Sequence, residues 1–365
     1  MARNWKDAVL FTAMVAVECS IVGTNTIFKA ATKKGMSNYV FVVYSVAATT
    51  LALFPLAFIF RSSTALPSVK FPLFSRICLL GLAGALCRII GYTGIAYSGP
   101  TLASLISNIT PAFTFILAII FRMEKLTVRN SSTRAKIIGT IVSISGAMLV
   151  VLYTGPVILS SPSSSAASEL SIQWSVGSPK SSWVIGGLLF TLENILVSIL
   201  FIIQTQTIKI YPAEFVVAFL YSLCSTIISA PLCLIAETNL SAWRLKPGIE
   251  LAAIIFSGGF GMSLCTVVHI FGLNMKGPVY TATFKPLSIA IAAFMSFIFL
   301  GDALYLGSVV GAVIISIGFY AVIWGKANEE RANGNYSGTT SLGASSDSKI
   351  KTPLLHSLKV EGRDT

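Results

Sequence analysis

The sequence predicts an all-α membrane protein of ten transmembrane helices, arranged as two inverted five-helix repeats. Three observations carry that prediction. The 365 residues are 54% hydrophobic and only 11% charged, with a mean hydropathy of +0.80, whereas a soluble domain carries roughly 25% charge. The apolar residues fall in runs of about 20, long enough as helices to cross ~30 Å of hydrocarbon. The chain also repeats itself. SGPTLASLISNITPAFTFILAIIFRMEKL at 98–126 is answered by KGPVYTATFKPLSIAIAAFMSFIFLGDAL at 276–304. Pro100 to Glu124 is the same distance as Pro278 to Asp302.

In chain order the expected spans are 8–28, 38–60, 75–97, 101–121 and 135–153, then 183–204, 213–236, 249–271, 280–300 and 303–324. Proline and glycine occur freely inside them, as membrane helices permit. No ten-residue alternation of a membrane β-barrel appears. The first span is too long for a signal peptide, carries Glu18 at its middle and lacks an A-x-A cleavage site, so it is expected to remain. The six cysteines lie inside spans without paired loop spacing and read as packing residues.

The repeat extends beyond the opening pair. Ala135, Gly139 and Gly146 match Gly307, Gly311 and Gly318 at one constant offset, Pro55 answers Pro231, and Glu18 answers Glu193. The chain therefore divides into a first five-helix unit at 1–153, a Ser-rich linker at 154–182, a second unit at 183–325, and a tail at 326–365 expected to be disordered. A unit with an odd number of crossings inserts upside down when copied in tandem. The expected result is an inverted-topology repeat, and hence a secondary transporter working by alternating access.

The formal net charge of +12 does not point to nucleic acid. With the N-terminus in the cytosol, most of the 26 Lys and Arg residues fall in the N-terminus, the even-numbered loops and the tail. That is the positive-inside pattern, with both termini cytosolic; Lys29, Lys33 and Lys34 run against it. Among the Asn-x-Ser/Thr sites outside the spans, this orientation puts Asn239 on the far side and Asn130 and Asn335 in the cytosol.

Glu18, Arg88, Glu193 and Lys285 sit within spans, where each charge costs ~2.5–3.5 kcal/mol at a helix centre. They must be paired, protonated or facing water. One acid and one base per half suggests Glu18 with Arg88 and Glu193 with Lys285. A zwitterionic amino acid needs both signs, so the four are candidates to line a substrate cavity; two ion pairs that only fix packing is the other reading. Asn25 and Tyr92 share helix faces with Glu18 and Arg88. Asn194 follows Glu193, and Asn108 and Thr110 precede Pro111. Pro111 and Pro286 open helices that could contact substrate or hinge a gate, and Pro100 and Pro278 begin the matching turns. Gln204 is expected nearer the membrane edge, and His269 is expected to be a satisfied helix-end residue. Gly307-x-x-x-Gly311 and Ala135-x-x-x-Gly139 are small-xxx-small packing patterns. No P-loop, H-E-x-x-H or G-x-S-x-G occurs. An ATP-driven pump and an enzyme are therefore not expected, and neither a cofactor nor a metal is expected.

The phrases GIAYSGPTLASLISNITPAFTFILAIIFRMEKL, AKIIGTIVSISGAMLVVLYTGP and VAVECSIVGTNTIFKAATKKGMSNYVFVVYS resemble the plant walls-are-thin-related, nodulin-21-like transporters over residues 1–326. These are EamA-domain members of the drug/metabolite transporter superfamily, many of them UMAMIT amino-acid facilitators. The resemblance implies two EamA-like bundles and a cavity between helices 1, 3, 4, 6, 8 and 9, with pairs 3–4 and 8–9 as gates. It also implies transport of amino acids, or in some members auxin or a related metabolite. Ser45, where relatives often carry Arg, and CRIIGYTG in the third span depart from the pattern. The resemblance favours the plasma membrane, with the vacuolar membrane as alternative. Carboxylates in mid-membrane are compatible with proton coupling.

Overall fold

The computed structural model describes residues 2–61, 71–97, 103, 106–124, 131–153, 156–159, 180–245, 247–295 and 304–347. Pro100, Asn130, Asp302, most of the linker and the end of the tail lie outside them.

The apolar runs fold as helices because hydrocarbon offers no partner for a bare backbone amide or carbonyl. The helices are α1 (Ala2–Lys33), α2 (Asn38–Arg61), α3 (Phe71–Tyr97), α4 (Thr110–Ile120), α5 (Ser131–Leu152), α6 (Lys180–Ile210) and α7 (Glu214–Ala236). Then come α8 (Ile249–Ile254), a π-helical segment (Ile255–Met262) and α9 (Ser263–Met275), which together form one span. After these come α10 (Pro278–Thr283), α11 (Leu287–Met295) and α12 (Leu306–Asp347). Large apolar side chains such as Phe58, Ile59, Ile235 and Ile317 are exposed, as a lipid-facing surface requires.

Seven of the described helices are long and apolar enough to cross a membrane, against the ten expected. Three expected spans are not among the seven. Of 101–121 the described helix is the short α4, 280–300 is split at Phe284–Pro286 into α10 and α11 as far as Met295, and 135–153 is the helix α5. The structure is not purely helical: β1 (Val157–Leu159), inside the expected linker, pairs antiparallel with β2 (Leu304–Tyr305). The tail departs from expectation as well. α12 continues to Asp347, and its extension begins at Lys326, held by Glu124 at 3.0 Å and by Glu329 one turn on at 3.4 Å.

Contacts between the two parts of the chain come in corresponding sets. α3 packs on α6 and α7, and the α8–α9 span packs on α1 and α2; α4 meets α6, and α11 meets α1. Three pairs join counterparts directly: α2 with α7, α5 with α12, and α4 with α10. In the first, the Thr50 and Ser222 hydroxyls lie 2.9 Å apart; in the second, Ser143 Oγ donates to Ile315 O at 3.4 Å. Each pair is separated by 172 residues in sequence.

The α5–α12 seam is closed by glycine. A Cβ on Gly139 would lie 2.6 Å from Gly318 O, and one on Gly146 would lie 2.8 Å from Ile314 Cγ2. A Cβ on Gly325 would sit 2.8 Å from Ser132 O. Gly139 belongs to the expected small-residue pattern, whereas on α12 the contact falls on Gly318 and Gly325.

The helix ends sort into two faces. Asp7 pairs with Lys276 at 3.1 Å, and Glu214 accepts from Asn274 at 2.6 Å. On the opposite face Ser37 donates to Glu237 at 2.6 Å. There Lys29 Nζ donates to Ile95 O at 3.0 Å and Ala96 O at 3.4 Å. The Lys29 amine thus satisfies carbonyls left open at the end of α3, which accounts for one lysine on the side the charge pattern disfavours.

Candidate functional site

A cavity of about 250 Å³ lies between α1, α3, α6, α7, the π segment, α9 and the α10–α11 break. Three local features shape it. At the break, Lys285 N bonds only to Ala282 O at 3.1 Å, and Pro286 has no N–H to offer, so the helix stops and Lys285 faces inward. In the π segment, a Cβ on Gly258 would collide with the Ser45 carbonyl, and one on Gly261 would sit 2.6 Å from Thr24 Oγ1. Glycine there lets the span press onto α1 and α2. On α3, a Cβ on Gly91 would lie 2.5 Å from Glu193 Oε1, so the bare glycine makes room for that carboxylate.

Glu18, Asn25, Arg88, Tyr92, Glu193, Asn194 and Lys285 all line the cavity. The expected pairing within each half is not what forms. Lys285 Nζ lies 3.3 Å from Glu18 Oε1, so acid and base pair across the two parts of the chain. The break at Pro286 is what carries Lys285 to α1.

The other two charges stay apart. Arg88 Nη1 donates to Met262 Sδ at 2.8 Å and adjoins Tyr221. Among the described residues it forms no ion pair, and neither does Glu193. Tyr92 packs between Phe28 and Phe41 with ring centroids 4.7 and 4.9 Å away.

Asn108 and Thr110 are buried but do not line the cavity. Thr110 donates to Asn194 Oδ1, and Asn194 Nδ2 donates to Phe190 O at 2.6 Å, so these residues tie α4 to α6. Pro111 opens α4 in its first turn and Pro278 does the same in α10, where no helical hydrogen bond is lost. Pro111 therefore opens the helix, as expected, without freeing a carbonyl inside it.

Two residues expected elsewhere belong to the wall. Gln204 lines the cavity because α6 runs on to Ile210, leaving it well inside the helix. His269 sits within α9 rather than at its end, with Nδ1 3.4 Å from Cys265 Sγ. The oxygen of Gln204, Nε2 of His269 and the hydroxyl of Thr24 are buried there without a hydrogen-bond partner among the described residues. The α6 spacing 193, 197, 200, 204 was the signal for Gln204.

A chain of long apolar helices around a charged interior chamber has the architecture of a membrane transporter. Comparison gives that class a family. The EamA-like transporter family matches residues 9–152. Two WAT1-related proteins of Arabidopsis thaliana are 56% identical over 89% of each chain, and 54% identical over 90% of this chain and 92% of theirs. A third is 46% identical over 98% of this chain and 99% of its own. The chain belongs to the WAT1-related family of EamA-type transporters. A solved crystal structure shares the fold at a TM-score of 0.63 and 10% identity, covering 88% of this chain and 98% of that one.

Proposed function

We propose that the protein is a secondary carrier of amino acids, built as two inverted five-helix repeats, ten helices in all, that exchange shapes about a site at mid-membrane. One observation carries the substrate class. Arg88 and Glu193 face one chamber without ion-pair partners among the described residues, while Glu18 and Lys285 neutralise each other beside them. A zwitterion supplies what is missing: its carboxylate to the guanidinium, its ammonium to the carboxylate. A substrate of one sign would leave one protein charge unmet in a low-dielectric interior. The corresponding sets of helix contacts support the inverted repeat.

The plasma membrane is the assigned location, with both termini in the cytosol. The face bearing Asp7 and Lys276 is then cytosolic, and the face bearing Ser37 and Glu237 external.

The test is efflux from oocytes preloaded with a labelled amino-acid panel and, separately, indole acetate. Amino-acid efflux that falls at least about tenfold in Glu193→Gln at equal surface abundance supports the carrier. Efflux of indole acetate alone would replace it with a carrier of organic acids.

A further inference from the structure

The cavity wall on α6 is a single stripe: Glu193, Val197, Leu200, Phe201 and Gln204. It passes from a charged end, through an apolar waist, to a neutral polar end. Eleven helical residues separate Glu193 from Gln204, roughly 16 Å along the axis.

Two of the cavity's unpartnered polar atoms belong to Gln204 and His269. Gln204 Oε1 and His269 Nε2 are both buried and unpartnered among the described residues. A buried polar atom without a partner is costly, and these two share the lining of one cavity. The His269 ring is fixed by Cys265 on its Nδ1 side and by Phe201, edge-on with centroids 5.4 Å apart. Its Nε2 is thereby left to a ligand.

We propose that Gln204 and His269 form a side-chain subsite selecting amino acids with an aromatic side chain ending in a neutral hydrogen-bonding group, of the tyrosine or tryptophan kind. The inference rests on the amino-acid reading above. The ammonium and carboxylate sit at Glu193 and Arg88, the ring lies in the waist against Phe201, and the hydroxyl or indole N–H reaches Gln204 Oε1. A short side chain leaves both polar groups unmet. Phenylalanine fills the waist but not the tip. A charged tip meets only neutral dipoles, since Lys285 is already matched by Glu18.

The experiment is uptake into proteoliposomes holding the purified full-length chain, with labelled tyrosine, phenylalanine, alanine and, separately, indole acetate as probes. The wild type is expected to take up tyrosine at least about tenfold faster than phenylalanine at equal, sub-saturating concentration. In Gln204→Met, similar in length but without the carbonyl, the tyrosine-to-phenylalanine ratio is expected to fall close to one. A wild-type ratio near one overturns the subsite whether or not the variant folds, as does an unchanged ratio in a variant that transports. In either case the amino-acid carrier stands. If indole acetate enters and no amino acid does, the carrier reading falls and the subsite with it.

Discussion

At the scale of single residues, four intramembrane charges divide into two kinds. Glu18 and Lys285 are held 3.3 Å apart, with Glu18 fully buried, and removing one partner of such a pair costs about 3–5 kcal/mol. Glu18→Gln is therefore expected to lower the melting temperature of the purified protein by several degrees, and Glu18→Gln with Lys285→Met to restore most of it. A double variant no more stable than Glu18→Gln alone would show that the pair is not what stabilises α1 against α10–α11. Glu193 has no such partner among the described residues, so Glu193→Gln is expected to cut transport at least about tenfold while leaving the melting temperature unchanged or higher. The four charges were legible in the sequence because each interrupts an apolar run. Their partners were not, since spacing along one helix says nothing about which distant helix the Pro286 break brings near. Gln204 was misread from the length assigned to α6: with the helix continued to Ile210, the same residue moves from the edge to the wall.

Among the elements, the α5–α12 seam and the turn after α4 carry the clearest expectations. A methyl group on Gly318 would lie 2.5 Å from both Gly139 O and Ser143 N, and overpacking of this kind typically costs ~1–3 kcal/mol. Gly318→Ala is expected to reduce surface abundance and melting temperature together. Near the turn, the carboxylate of Glu124 meets Lys136 at 2.6 Å and Lys326 at 3.0 Å. Burial alone would raise its pKa, but Lys326 and Lys136 outweigh burial and hold it below the usual glutamate value. The unfolded chain therefore binds this proton more readily than the native one. The stabilisation is complete above the ordinary glutamate pKa of about 4.3 and is lost as pH falls through the lower native value. Melting curves between pH 7 and pH 3 should show that acid limb, and Glu124→Gln should flatten it. Helix existence was readable from apolar run length, and the break at Pro286 from the ring's missing donor. The π segment was not readable from periodicity. The β1–β2 pair was not readable either, because it joins segments far apart in sequence.

For the whole molecule, counterpart contacts such as Thr50 with Ser222 and Ser143 with Ile315 describe two halves meeting on like surfaces. Alternating access about that junction predicts saturable flux that unlabelled amino acid on the opposite side accelerates severalfold. Flux that rises linearly with concentration and ignores the opposite side would make the protein a pore. The repeated phrase is what points to two repeats in the sequence, whereas the chamber needed the helices in place. The Glu18–Lys285 bridge also constrains how this sequence can change. Because each half supplies one member, neither residue can drift alone without stranding the other in hydrocarbon. Neutral drift at position 18 has to wait for a compensating change at position 285, so the two ends of the gene are bound to a shared mutational history.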